Sequence, residues 1–125
     1  MLGYLTLAGW ILTITLGLRM HGVKRLPVGV VLPHAALALS GIALWIAYLA
    51  KERPAQIGWV AVVVILATNG LGDAAVVRKW KKKADGGPGL VATYFKRLGQ
   101  RRILLIHLIS AATTTALAAV TVLIA

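Results

Sequence analysis

The sequence predicts an all-α membrane protein, a four-transmembrane-helix up-down-up-down bundle. Three observations lead there. Of 125 residues, 59% are hydrophobic and only 14% charged, more apolar surface than a soluble domain of this length can hide. The apolar residues fall into four runs, each near the roughly 20 residues a helix needs to cross the hydrocarbon core. The 14 Lys and Arg residues, which set a net charge of +11, lie in the connectors between those runs. A nucleic-acid-binding domain would carry such charge as a face on a folded soluble body, so no nucleic acid is expected as partner.

The first run, 2–18, follows Met1-Leu2-Gly3-Tyr4, which has no basic n-region, and it ends at Arg19; it is expected to be a retained span rather than a cleaved signal. A connector containing Arg19, His21, Lys24 and Arg25 leads through Pro27 to the second run, 28–50. Lys51-Glu52-Arg53-Pro54 is tight enough to turn the chain back into the third run, 55–77. A longer basic connector, 78–102, precedes the last run, 103–125. Within that connector Leu90, Val91, Tyr94, Phe95 and Leu98 share one helical face over 90–98. Two readings fit them: a short helix lying in the headgroup region, or a solvated loop with incidental hydrophobes.

Orientation follows from the basic residues. Connectors one and three hold all of the Lys and Arg except Lys51 and Arg53. The positive-inside rule places those connectors in the cytoplasm and both termini outside, in a multi-pass protein of the cell (inner) membrane. The same connectors are expected to attract anionic lipids. Tyr48 and Trp59 near the outer boundary, with Trp80 and Tyr94 near the inner one, fit interfacial aromatic belts. Gly9-Trp10 in the first run and Gly58-Trp59 in the third each precede a basic connector and a histidine-bearing run. That order is what two parallel two-helix repeats would produce.

With no cysteine, thiolate catalysis, disulfides and Cys-based metal sites are excluded. Glu52, Asp73 and Asp85 are the only acids, and no Ser-His-Asp set, carboxylate pair or phosphate-binding glycine loop is present. A small transporter is disfavoured, since Asp73 is the only acid inside a run. His34 and His107 are the leading functional residues. Each lies four residues beyond a point near the start of its run (Val30 and Ile103), at similar depth, about 6 Å in from the cytoplasmic side. Two imidazoles at one level on two helices can clamp an iron porphyrin from both faces, leaving no open position. Ala35, Ala38, Gly41, Ala111 and Ala112 leave room for a macrocycle, and Arg25, Arg101 and Arg102 lie where its propionates would point. Asp73, four residues from Asn69, is placed to accept the Nδ1–H of an axial histidine, or to pair with Arg19 or Lys24. The competing reading of both histidines is a polar anchor that bonds a neighbouring helix. His21 reads as a solvated interfacial residue.

Pro33-His34-Ala35-Ala36-Leu37-Ala38-Leu39-Ser40-Gly41 and Arg102-Ile103-Leu104-Leu105-Ile106-His107 resemble small b-type cytochromes and the haem-bearing membrane anchors of respiratory redox complexes. The resemblance covers about half of the chain. It implies one haem b, with His34 and His107 as its axial iron ligands, electron transfer rather than stand-alone enzymatic turnover, and a redox partner subunit or quinone. Two-haem members need four ligands, and this chain has three histidines in all. A homo-oligomer is also compatible with so small a membrane protein. The alternative function is a haem-free accessory or assembly subunit of a larger membrane complex.

Overall fold

A computed structural model describes residues 1–21, 28–81 and 101–125. They form four helices: α1 Leu2–His21, α2 Val28–Ala50, α3 Ala55–Lys81 and α4 Arg102–Leu123. All four are long and apolar enough to cross a membrane, and they pack together. The expected interfacial helix at 90–98 lies outside the described residues, as does Arg25. Two helices outrun their apolar runs, α1 reaching His21 rather than residue 18 and α3 reaching Lys81 rather than residue 77. The hydropathy boundary marks where lipid ends. A helix that satisfies its own backbone can continue past it into the headgroup layer, through residues such as Lys and Arg that favour helix.

α2 packs chiefly on α3, and α1 chiefly on α4; α3 also meets α4, and α1 touches α2 least. Among the described residues α1 and α3 are diagonal to one another, as are α2 and α4. The interior is built from small and hydroxyl residues, with Ala61, Ala111, Ala118, Thr6, Thr68, Thr114, Thr115 and Thr121 buried. Large aliphatics such as Leu12, Leu32, Leu39, Val63, Leu66 and Ile109 point outward. In water that surface would be a severe liability. In lipid it is neutral, and close backbone contact becomes the main adhesive. The buried hydroxyls do not search for partners. Thr6 donates to Leu2 O, Thr68 to Val64 O, Thr115 to Ala111 O and Thr121 to Leu117 O, each one turn back along its own helix.

Three aromatic residues fill one end of the core. Trp10 and Trp45 meet edge to face with centroids 5.1 Å apart, Trp45 and Tyr48 lie 4.7 Å apart, and Trp45 Nε1 donates to Gly3 O at 3.0 Å. Tyr48 is fully buried, so it belongs to this cluster and not to an interfacial belt; Trp59, 41% exposed, suits the belt. The same comparison corrects the Gly-Trp match. Trp10 is 2% exposed and Trp59 41%, so the two tryptophans do not occupy equivalent places.

Pro33 lies in the second turn of α2, where it leaves the carbonyl of Gly29 without a helical donor; Gly29 is exposed, so that loss is cheap. The α2–α3 turn is more strained. Lys51 N bonds Ala47 O and Arg53 N bonds Tyr48 O at 2.9 Å, which winds up the end of α2. Reaching these bonds puts Glu52 and Arg53 at φ 57° and 61°, a left-handed conformation that costs a residue with a Cβ. Glu52→Gly or Arg53→Gly is therefore expected to raise stability by about 0.5–1 kcal/mol. The check is the thermal midpoint of the detergent-solubilised protein, which should rise for either variant.

Candidate two-histidine site

His34 lies on α2 one residue after Pro33, and His107 lies in the second turn of α4. Both are half-buried. Each turns sideways onto the helix its own helix packs against. His34 Nδ1 meets Thr68 O of α3 at 3.0 Å, and His107 Nδ1 meets Thr13 O of α1 at 2.9 Å. A carbonyl can only accept, so both rings carry their proton on Nδ1 and, when neutral, present a lone pair at Nε2. One turn beyond each carbonyl stands a glycine. A Cβ on Gly72 would come within 3.0 Å of His34 Cε1, and one on Gly17 within 3.3 Å of His107 Cε1. The imidazoles thus lie against glycines where a Cβ would press on the ring.

The role expected of Asp73, accepting an Nδ1–H, is taken by these two carbonyls. Asp73 follows directly on Gly72, the glycine against which the His34 ring lies. Its Oδ1 is buried and has no hydrogen-bond partner among the described residues. One turn away, Asn69 Nδ2 donates to Thr115 Oγ1 at 3.1 Å and ties α3 to α4. Thr13 Oγ1 and Ser110 Oγ, 2.7 Å apart, tie α1 to α4. Arg101 and Arg102 stand at the start of α4, half-buried and exposed respectively, two turns or less from His107. The side chain of His21 is outside the described residues.

Among the described residues, no group of three His, Asp or Glu side chains is placed to hold a metal ion. The donor set is two nitrogens. His34 and His107, each held by a carbonyl at Nδ1, would in the neutral form offer Nε2 to a metal that brings other ligands of its own. By donor chemistry alone, two imidazole nitrogens are the set that a bis-histidine haem would require. The residues that hold the rings, Thr13, Gly17 and Thr68, were not legible as site residues. A signal was present: Thr13-Ile14-Thr15-Leu16-Gly17 and Thr68-Asn69-Gly70-Leu71-Gly72 share the pattern Thr-x-x-Leu-Gly. No family model matches the chain, and no curated protein or solved structure is similar to it.

Because the acceptor at α3 is a main-chain oxygen, the threonine hydroxyl is dispensable there while the glycine is not. Thr68→Ala is expected to leave the His34 Nδ1–H bond in place, and Gly72→Val to expel the ring. Nitrogen-15 NMR of the histidines checks this: the Nδ1-protonated signature of His34 should survive the first substitution and vanish in the second.

Proposed function

We propose that this protein is an integral membrane, b-type cytochrome-like electron carrier that holds one haem between His34 and His107. The observation that carries the reading is the matched pair of Nδ1–carbonyl bonds on diagonal helices, which makes Nε2 the lone-pair nitrogen of each neutral ring. When bound, a bis-histidine haem supplies a one-electron couple with both axial positions filled. The chain's own part is to fix the imidazoles. The carbonyls of Thr13 and Thr68 set the tautomer and tilt of the rings. Arg101 and Arg102, with Arg25, are the cations for propionates at the cytoplasmic boundary. Asp73, next to Gly72, is a polar neighbour of the His34 ring.

Haem-replete protein is expected to show a low-spin spectrum with a split, reducible visible band and no carbon monoxide binding. His34→Ala and His107→Ala should each abolish it, and His21→Ala should not. A second reading has an observation of its own. The same Nδ1–carbonyl bonds cross between helices and, at about 0.6 kcal/mol on average for interhelical bonds in a membrane, tie the bundle without any cofactor. That is the arrangement a haem-free accessory or assembly subunit would use. A colourless protein from haem-replete cells, or a spectrum indifferent to both substitutions, decides for it.

The proposal includes an up-down-up-down layout in the cell membrane, both termini outside, with basic connectors against anionic lipid. An alkaline phosphatase fusion after Ala125 should be active and one within 82–100 silent. The reverse pattern would move the histidines to the other leaflet.

A further inference from the structure

We infer that the bundle consists of two equivalent helix pairs, α1–α2 and α3–α4, whose mating surfaces complement each other but not themselves, so that the two-histidine site is completed only by an unlike pair. The inference is independent of haem. It starts from a register that the tryptophans do not mark. Thr13 and Thr68, Gly17 and Gly72, and Gly3 and Gly58 are each 55 residues apart, while His34 and His107 are 73 apart. Displacing α1 by 55 and α2 by 73 carries one set of contacts onto the other. The bond from His107 to Thr13 becomes the bond from His34 to Thr68. The contact of Gly17 with His107 becomes that of Gly72 with His34. Gly3 lies against Leu49 and Thr121, and Gly58 against Val122 and Tyr48, which are the residues the same displacements demand. α2 itself maps onto α4, since Ala50 displaced by 73 is Leu123, the last residue of each helix.

At one level the sizes are exchanged. On the α1–α4 seam the glycine is on α1: a Cβ on Gly9 would come within 2.5 Å of Thr114 Oγ1. On the α3–α2 seam the glycine is on α2: a Cβ on Gly41 would come within 2.7 Å of Ile65 Cγ1 and 3.5 Å of Val64 Cγ1. Val64 is the counterpart of Gly9, and Gly41 the counterpart of Thr114. Two copies of α3–α4 docked on each other would therefore press Thr114 against Val64 and Ile65. Two copies of α1–α2 would oppose Gly41 to Gly9 in the place of Val64, leaving a gap, and to the bulkier Trp10 in the place of Ile65, crowding it. Overpacking and voids both destabilise, so each pair selects the other and rejects itself. The equivalence lapses at the site, where Asn69 and Asp73 stand in the places of Ile14 and Leu18.

Double-mutant cycles in the full-length, detergent-solubilised protein test this. Gly9→Val and Gly41→Val should each lower the thermal midpoint by several degrees. Adding Thr114→Gly to the first and Ile65→Ala to the second should recover most of the loss. The crossed doubles, Gly9→Val with Ile65→Ala and Gly41→Val with Thr114→Gly, should lose more than either single. If a valine variant does not fold, Gly9→Ala and Gly41→Ala are read in the same cycles. Crossed doubles that recover as well as matched ones, or recovery at one seam alone, would overturn the inference.

Discussion

Helices in lipid gain nothing from hiding apolar side chains, because the surroundings are as apolar as the interior. What holds these four together is close approach, and close approach here depends on glycines. Gly3, Gly9, Gly41 and Gly58 each face a neighbouring side chain at a distance that leaves no room for a Cβ. Many large aliphatics are displaced to the outside, and the core is made of alanine, threonine, one aromatic cluster and Val62, Ile65 and Val122. The histidines follow from the same constraint. An imidazole reaches a backbone carbonyl on the next helix only where that backbone is bare, and Gly17 and Gly72 keep it bare.

Polarity is handled in two ways inside this core. Thr6, Thr68, Thr115 and Thr121 turn their hydroxyls back to their own helices, while Thr13 and Ser110 bond each other across α1 and α4. Nitrogen donors cross over: Trp45 to Gly3 O, Asn69 to Thr115, and the two histidines to Thr13 O and Thr68 O. Crossing bonds set register as well as affinity, since a helix cannot slide a turn without breaking them. Asp73 stands apart from both habits. A half-buried carboxyl with one oxygen unpartnered among the described residues is costly for stability.

Much of the fold was legible because hydropathy is additive along a chain. Four apolar runs with charges between them can only be four spans, and α2 keeps the bounds read from its run. The histidines were legible because an ionisable group in such a run is rare. Their surroundings were not. The groups that accept from the rings are main-chain oxygens, which every residue carries, and only the glycine one turn on distinguishes the two positions. The Gly-Trp pairs misled for a related reason. A tryptophan looks equally apolar whether it fills a core, as Trp10 does, or borders lipid, as Trp59 does.

By itself, then, the sequence determined that the chain is four membrane-length helices, where each lies along the chain, and which two imidazoles sit near the start of α2 and α4. Those properties are local, set by the solvent a segment prefers and by its own hydrogen bonds. Which helix each histidine leans on, which nitrogen carries its proton, and that Tyr48 goes inward were decided only in three dimensions. In an interior without a hydrophobic gradient, the choice of neighbour rests on fit between particular small and large residues, such as Gly9 with Thr114 and Gly41 with Ile65. Fit is a property of pairs, and no single helix contains it.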